Sequence, residues 1–393
     1  MRASRLSTTV VAALALVLAV AGYGSGSGGS ERSASSSRAR VAVLQKTIDE
    51  LAAMPGGPPG VAVVVQTGRS RMFYSGGVAR VGGREPRITD HMRIASVAKA
   101  FSGATALVLV DKGVLRFSDT IGKWLPELPA AWHPVTLRQL LSHTSGVPDF
   151  INSEAFLDRY TEAPDDPPTP ATLLGFAPKH LDFPAGAAYA YSNSDNIAVG
   201  LMIEAATGQP YERVLGQRVL KPLGLTQTSL PRSAAIPTPY LHGYERGEQR
   251  PRPQDVSGGL AGGWAWASGG VLSTPAELNT FIRAYVSGRL VSSSLRRTWQ
   301  RLFIPAGGSE PPGPGVNSAS MALFRYETTC GTVYGHSGNT VGYTQYAVAT
   351  ADGSRSAVVS ITLQRTQNST GQGAKVFAGL QRVAQAAICA ASR

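Results

Sequence analysis

Residues 96–110 read SVAKAFSGATALVLV, a largely apolar stretch that begins with Ser96 and contains Lys99. The segment Ala98–Val110 is strongly apolar and predicts a buried helix that ends at Gly113. Ser96 and Lys99 stand three residues apart at the start of this helix, where side chains at that spacing share a face. The lysine can therefore reach the serine hydroxyl.

The pair Ser96 and Lys99 predicts a nucleophile with its base. A serine hydroxyl attacks only when a neighbouring group removes its proton, and a lysine whose pKa is lowered by burial can do so. In a chain with seven lysines, the spacing alone is equally compatible with a solvated surface pair. The apolar run after Lys99 favours the buried pair, because a charge at the head of a buried helix needs a role.

A second motif, Tyr191-Ser192-Asn193, follows the turn Phe183–Gly186. A turn before a helix can project Tyr191 and Asn193 into a cleft. A phenol can relay a proton there, and an amide can hold a substrate carbonyl and orient Lys99. Taken alone, the motif is more typical of a buried tyrosine followed by a helix-capping asparagine.

A third motif, His336-Ser337-Gly338, falls at the end of a predicted strand. Gly338 allows a substrate backbone to approach the strand closely, and edge pairing there suits an extended peptide. The backbone N–H of Asn339 is the candidate second donor to an oxyanion, beside the N–H of Ser96. Taken alone, this motif favours a polar strand end.

The remaining pattern predicts an α/β (α+β) domain of about 350 residues. Strands near both chain ends imply one antiparallel sheet flanked by helices, with a mostly helical subdomain inserted at roughly 97–260. Asp352-Gly353 is the hairpin turn between two of the strands. The predicted helices outside the insert are 41–54, 275–286 and 373–390; the strands are 60–66, 72–76, 320–326, 332–336, 342–350 and 354–363; 304–318 is predicted to be irregular.

The three motifs together, in this order and at wide spacing, resemble the penicillin-recognising serine hydrolases, which comprise DD-peptidases, serine β-lactamases and related esterases. The resemblance runs from about Leu44 to Ala390. It is strongest for the secreted actinobacterial D-alanyl-D-alanine carboxypeptidase/transpeptidase, which has histidine where His336 stands. The resemblance implies the serine β-lactamase/DD-peptidase fold and an acyl-enzyme mechanism.

The resemblance also implies individual roles. Ser96 is acylated, while Lys99 and Tyr191 transfer protons. Residues expected to contact substrate or line its site are Asn193, His336, Ser337, Gly338, Asn339, Trp264, Phe156 and Arg325.

Two departures from the family pattern concern substrate preference. Phe324 stands where an arginine usually binds the terminal carboxylate, and Arg325 follows it, pointing to the other face of a strand. Val341 stands where a polar residue is expected. Both departures weaken the case for a carboxypeptidase without affecting acyl-enzyme chemistry.

The predicted function is that of a D-Ala-D-Ala carboxypeptidase/transpeptidase on peptidoglycan stem peptides, monomeric, β-lactam-binding and without cofactor or metal. The alternatives are a class C-like β-lactamase or esterase of the same fold, and a non-catalytic binder of penicillin or cell-wall peptide. A Ser-His-Asp hydrolase is disfavoured because Gly-x-Ser-x-Gly does not occur in the sequence.

The start of the chain and its charge set the expected location. Residues 1–22 predict a secretory signal peptide, 23–40 a Gly/Ser-rich linker and 41–393 the catalytic domain. Lys and Arg number 37 against 25 Asp and Glu, a net charge of +12 that falls to +10 once the signal's two arginines are removed. The arginines are scattered along the sequence, which favours association with the cell wall over nucleic-acid binding. The apolar run within residues 1–22 is too short for a membrane span, so none is predicted.

The two cysteines, Cys330 and Cys389, are expected to pair in the oxidising exterior of a cell. The first precedes the strand of the third motif, and the second ends the last helix. Two free buried thiols are the alternative.

Overall fold

The computed structural model describes residues 28–246, 252–306 and 316–392. The predicted signal peptide and residues 23–27 of the predicted linker lie outside the described residues. None of the helices in the described ranges is long and apolar enough to cross a membrane.

The described chain is a mixture of helices and strands. The helices are α1 Gly28–Ala53, α2 Ala98–Asp111, α3 Ile121–Trp124, α4 Leu137–Leu141, α5 Glu154–Glu162, α6 Pro170–Gly175, α7 Asn193–Thr207, α8 Tyr211–Leu215, α9 Lys221–Leu223, α10 Trp266–Gly269, α11 Pro275–Val286, α12 Ser293–Trp299 and α13 Gly371–Ala391. The strands are β1 Gly60–Thr67, β2 Ser70–Gly77, β3 Met92–Arg93, β4 Tyr244–Glu245, β5 Gln254–Asp255, β6 Leu272–Ser273, β7 Ile304–Pro305, β8 Val316–Ser320, β9 Leu323–Thr328, β10 Gly331–Thr340, β11 Tyr343–Ala349 and β12 Arg355–Ile361.

One eight-stranded antiparallel sheet organises the molecule. Its order is β2-β1-β12-β11-β10-β9-β8-β7, so the hairpin near the beginning of the chain joins the strands near its end. The predicted sheet built from both chain ends is confirmed. The 3₁₀ turn that carries Ser96 packs against β10 near the middle of the sheet.

Strand β1 shows why this sheet is covered on both faces. Its sequence, GVAVVVQT, is apolar at almost every position and is buried along nearly its whole length. Because alternate side chains face opposite sides of a strand, Ala62 and Val64 join one core, and Val61, Val63 and Val65 join the other. A continuous apolar run therefore supports two hydrophobic layers at once.

Helices α1 and α13 cover the first face of the sheet. Leu44, Ile48 and Leu51 of α1 are fully buried there at helical spacing, as predicted. The helix begins at Gly28, well before the expected start at residue 41. The part of the predicted linker from Gly28 to Arg40 is therefore helical.

The second face of the sheet meets the helical layer. Twelve of the fourteen residues of α2 are buried, and the ring of Phe101 stacks on that of Phe281 with centroids 3.5 Å apart. Helices α2 to α9 lie between Ala98 and Leu223, within the predicted insert. This packing holds the amino end of α2 against the sheet and so fixes Ser96.

The region before the third motif differs from its prediction. The expected single strand 320–326 is a hairpin, because the chain turns at Met321 and Ala322, both with positive φ. Strands β7 and β8 occupy the two ends of the stretch expected to be irregular. The sequence does not indicate this turn, because neither methionine nor alanine usually adopts positive φ.

Candidate active site

Ser96 and Lys99 meet at the start of α2. Ser96 lies in the 3₁₀ turn Ala95–Val97 and is half-buried, while Lys99 is completely buried one turn later. The Nζ of Lys99 donates to the Ser96 hydroxyl at 3.1 Å. The structure therefore brings together the serine and lysine that the sequence predicted to act as nucleophile and base.

The environment of Lys99 changes its acidity. Nζ also donates to Asn193 Oδ1 at 2.7 Å and to the Ser268 carbonyl at 2.9 Å, so it has three acceptors in all. Burial lowers the pKa of Lys99 to about 7, although Asp149 and Asp195 act in the opposite direction. At neutral pH a large fraction of the amine is therefore uncharged and able to accept a proton.

Tyr191 lies close to the Ser96 and Lys99 pair. Its ring centroid is 4.8 Å from Lys99 Nζ, and its hydroxyl is buried. Burial raises the pKa of Tyr191 well above its ordinary value, and the interaction of its hydroxyl with Ser96 only partly offsets this effect. The phenol is therefore protonated at neutral pH and can act as a proton donor.

Asn193 connects the base to a carboxylate. It is the first residue of α7, and its Oδ1 accepts from Lys99 while its Nδ2 donates to Asp149 Oδ2 at 2.8 Å. The amide orientation is thus determined from both ends. Asn193 orients Lys99 as predicted, and it also lines the adjoining cavity.

The third motif brings strand β10 against Ser96. A Cβ added to Gly338 would lie 2.3 Å from the Ile94 carbonyl oxygen and 3.2 Å from the Ser96 nitrogen, so only glycine fits. Asn339 follows it and lines the cavity, with its Nδ2 donating to Thr344 Oγ1 at 3.0 Å. The strand therefore reaches the serine with its backbone, as an oxyanion-binding strand must.

His336 and Ser337 are buried beneath the site and lie outside the cavity lining. The His336 Nδ1 contacts the carbonyl of Ser337, and its ring lies 6.3 Å from that of Tyr191 and 4.9 Å from that of Phe324. Burial lowers the pKa of His336 well below its ordinary value, so the imidazole is neutral. Neither side chain lines the cavity, contrary to the sequence prediction.

A cavity of about 430 Å³ opens beside Ser96. Phe156 and Trp264 both line it, with ring centroids 5.7 Å apart in an edge-to-face arrangement. The Trp264 indole donates to the Pro164 carbonyl at 2.7 Å, which fixes the ring. The other apolar or aromatic lining side chains are Ala95, Phe150, Ile151, Leu157, Tyr160, Leu260, Ala265 and Val341, and none of the described lining residues is charged.

The whole arrangement corresponds to a known family. The family model described as Beta-lactamase matches residues 44–380, which is most of the chain. The chain belongs to the beta-lactamase family. The resemblance to penicillin-recognising serine hydrolases that the three motifs indicated is confirmed.

Individual curated relatives of this beta-lactamase family member have low sequence identity to it and match only part of its length. Penicillin-binding protein 4* of Bacillus subtilis is 27% identical over 194 residues, covering 47% of this chain and 41% of the relative. The D-alanyl-D-alanine-carboxypeptidase/endopeptidase AmpH of Escherichia coli is 29% identical over 246 residues, covering 59% and 58%. The chain thus spans about half the length of these curated relatives.

A solved structure of a D-stereospecific amidohydrolase from a Streptomyces species matches over more of the chain. The sequences are 29% identical, the TM-score is 0.73, and the match covers 82% of this chain and 94% of that one.

Asp149, His143 and Asp195 are residues of this beta-lactamase family site that the sequence reading did not assign. Asp149 raises the pKa of Lys99 and is held by Asn193. His143 Nδ1 lies 2.8 Å from Asp195 Oδ2, and its ring centroid is 4.6 Å from that of Tyr191. The signal was the polar run SHTSG at 142–146 inside an otherwise apolar region, since buried polar residues need partners.

The His143 ring packs beside the ring of Tyr191. Burial lowers the pKa of His143 to about 3, so this imidazole is uncharged at neutral pH. Burial also raises the pKa of Asp195, which accepts from the Ser145 hydroxyl at 2.5 Å. The tyrosine therefore rests on a neutral aromatic ring fixed by its own hydrogen bonds.

Arg325 does not reach the site. Its side chain is 44% exposed and forms an ion pair with Glu327, while Phe324 is buried with its ring 6.4 Å from that of Tyr191. The prediction of Arg325 as a substrate-binding residue is wrong, because successive residues of β9 face opposite ways. An apolar ring thus occupies the position at which the resemblance implied an arginine.

Cys330 and Cys389 form a disulfide that joins the start of β10 to the end of α13. The predicted pairing is confirmed, and the alternative of two free thiols is excluded. Within the described ranges, no group of three or more His, Cys, Asp or Glu residues is placed to hold a metal ion.

Proposed function

We propose that this protein hydrolyses an amide or ester of a D-amino acid through an acyl-enzyme on Ser96, with preference for an uncharged leaving group. The observation that carries the proposal is the 3.1 Å contact between the Ser96 hydroxyl and a fully buried lysine with a pKa of about 7. A lysine in this state serves as a base near neutral pH.

Acylation follows from the positions of three side chains. Lys99 accepts the Ser96 proton as the oxygen attacks the substrate carbonyl carbon. The resulting oxyanion is bound by the backbone N–H groups of Ser96 and Asn339. Tyr191 donates its proton to the leaving group as the carbon–nitrogen or carbon–oxygen bond breaks, and Lys99 returns a proton to Tyr191.

Deacylation uses the same groups with water as the nucleophile. As the water attacks the ester carbonyl, Tyr191 accepts a proton from it and passes its own phenolic proton to the neutral amine of Lys99. The Ser96 oxygen leaves and takes back a proton, which restores the starting state. The acid formed is the hydrolysed D-amino acid or peptide.

The apolar cavity supports an apolar acyl group and a neutral leaving group. Phe156 and Trp264 offer an aromatic wall, and no described lining residue is charged. Phe324 replaces the expected arginine with a ring. The Streptomyces neighbour is a D-stereospecific amidohydrolase, which supports the D configuration and the amide bond.

A D-Ala-D-Ala carboxypeptidase/transpeptidase is the second candidate, supported by the name of AmpH. It requires a cation for the terminal carboxylate. Arg365 is the arginine nearest in sequence to the lining residue Gln364, and its carbonyl accepts from Asn339 Nδ2. Its Nη1 donates to the Gln364 carbonyl at 2.7 Å, so it would have to turn to bind a carboxylate.

The test is a substrate panel on the purified protein. It comprises D-phenylalanine amide, D-alanine amide, D-phenylalanine methyl ester, an acylated D-Ala-D-Ala peptide and a chromogenic cephalosporin. We expect the aromatic amide and ester to have the highest kcat/KM. Ser96→Ala should abolish turnover and covalent labelling by penicillin, whereas Ser118→Ala, at an exposed serine, should change neither.

The panel also separates the alternatives. If activity is greatest on the D-Ala-D-Ala peptide and Arg365→Gln raises the KM for that peptide, the protein is a carboxypeptidase. That result would exclude the proposed D-amino acid amidase or esterase. Rapid cephalosporin turnover would indicate a β-lactamase. Normal labelling of Ser96→Ala would overturn the acyl-enzyme itself, and stable labelling without any turnover would indicate a binding protein.

We propose in addition that the protein is secreted and monomeric. The disulfide between Cys330 and Cys389 is compatible with an oxidising compartment. Fractionation of the producing cells tests secretion, and light scattering on the purified protein tests the monomer.

A further inference from the structure

Three arginines converge on a second cavity, which lies outside the catalytic site. The cavity has a volume of about 290 Å³, and its charged lining residues are Arg71, Arg283, Arg289 and Asp352. They come from β2, the last turn of α11, the loop after it, and the hairpin turn between β11 and β12. The sequence scattered these arginines over more than two hundred positions, and the fold gathers them.

The guanidinium groups of Arg71 and Arg283 are held in place by neutral hydrogen-bond acceptors. Arg71 donates to Gln66 Oε1 and to Thr280 Oγ1, and Arg283 donates to the carbonyls of Gly353 and Gly68 at 2.7 and 2.8 Å. These bonds use Nε and Nη2 of each arginine. The other terminal nitrogen of each group has no hydrogen-bond partner in the described part of the chain.

Carboxylates do not neutralise this cluster. Among the described residues, none of Arg71, Arg283 and Arg289 has a carboxylate oxygen within 4 Å. Asp352 shares the cavity, but its Oδ1 accepts from Thr350 and from Ser354. Three positive charges and one negative charge leave an excess of two.

Mutual repulsion of the arginines is visible in the pKa of Arg283. Burial lowers the pKa of Arg283, and Arg71 and Arg289 lower it further, while Asp352 only partly compensates. Like charges held this close destabilise a fold unless an anion lies between them. The cluster therefore has the electrostatics of a binding site whose ligand is negative.

The cavity is far from Ser96. Gly338, beside the nucleophile, pairs with Gln345, which pairs with Ser360, whereas the cavity adjoins Arg355 at the opposite end of the same strand β12. Five residues of strand correspond to about 17 Å. A ligand here would be held without touching the reacting bond.

We propose that this arginine cavity binds a phosphate group, either of free phosphate or diphosphate, or of a phosphodiester polymer. Guanidinium groups match phosphate oxygens in pairs of hydrogen bonds. The excess of two is balanced by one doubly charged phosphate or by two neighbouring phosphodiester groups with one charge each. On a phosphodiester polymer, the site would anchor the enzyme and leave the catalytic cavity open.

The experiment is calorimetric titration of the whole protein with inorganic diphosphate at low ionic strength. We expect saturable binding that weakens about tenfold in Arg71→Gln and in Arg289→Gln, since one charge-assisted hydrogen bond contributes about that factor. Arg213→Gln removes the same charge from α8 and should change binding less than about twofold. Turnover on the best ester should be unaffected in all three variants.

Two outcomes would overturn the proposal. One is no saturable heat with diphosphate in the wild-type protein. The other is equal weakening in Arg213→Gln and Arg289→Gln, which would show a general charge effect. If diphosphate binds, the protein is then titrated with a synthetic glycerol phosphate oligomer. A dissociation constant per phosphate group at least tenfold lower than that of diphosphate identifies the polymer as the ligand, and an equal constant identifies the free anion.

Discussion

The acidity of Lys99 determines how the reaction rate depends on pH. If this lysine removes the Ser96 proton, only the neutral amine is active. With a pKa of about 7, the neutral fraction rises about tenfold between pH 6 and pH 8 and then hardly changes. The acylation rate should therefore rise about tenfold over that interval and be level from pH 8 to pH 9.

An ordinary lysine would give a different curve. At its usual pKa of 10.5, the neutral fraction would grow about tenfold for every pH unit up to pH 10. The interval from pH 8 to pH 9 therefore discriminates best, since the expected change is near zero in one case and about tenfold in the other. The measurement is single-turnover acylation by a nitrophenyl ester in a stopped-flow instrument.

Two substitutions make this assay specific for the buried lysine. Lys99→Arg keeps the charge but cannot deprotonate in this range, so acylation should be lost. Lys112→Arg, at an exposed lysine beyond the end of α2, should keep the full profile. A wild-type rate that continues to climb above pH 8, or a profile retained in Lys99→Arg, would refute the assignment of Lys99 as the base.

Three further perturbations test the surroundings of the base. Asp149→Asn removes a charge that raises the pKa of Lys99, so the midpoint of the acylation profile should move below pH 7; an upward movement or none would contradict this coupling. Gly338→Ala places a methyl group 2.3 Å from a backbone carbonyl and pushes β10 away from the serine, so kcat/KM should fall at least a hundredfold, while Thr332→Ala, near the other end of β10, retains activity. Replacing both Cys330 and Cys389 by serine opens a loop of 59 residues and should lower the free energy of unfolding by roughly 4 kcal/mol in denaturant titrations, with kcat unchanged; an equal stability of the two proteins would exclude that contribution.

The sequence predicts the parts of the site that depend on local spacing. Ser96 and Lys99 need only one helical turn to meet, and Asn193 begins a helix at the predicted residue. Such contacts follow from helix geometry, which the apolar pattern already specifies. The sheet built from both chain ends is likewise predicted from the positions of the strands in the sequence, whereas the hairpin of β8 and β9 is not.

Other parts of the site depend on which distant elements pack together. Asp149 is 44 positions from Asn193 in the chain, and their hydrogen bond exists only because α7 packs beside the loop before α5. The same holds for His143 beneath Tyr191. A polar residue in an apolar region signals that a partner is required, but its identity comes from tertiary packing.

Strand register explains why Arg325 misled the sequence reading. A shift of one position in a strand moves a side chain to the opposite face, so an arginine adjacent to the expected position is no substitute for one at that position. The Phe324 ring lies 6.4 Å from that of Tyr191 and 4.9 Å from that of His336, inside a set of neutral aromatic groups.

This neutrality and the low pKa of Lys99 have the same physical origin. A cationic arginine at position 324 would add a second positive charge beside Lys99 and would also require solvation or a counter-ion. With Phe324 in place, burial alone lowers the pKa of Lys99 against the pull of two carboxylates. Phenylalanine at position 324 keeps the surroundings of the base uncharged, and we expect uncharged surroundings to favour uncharged leaving groups.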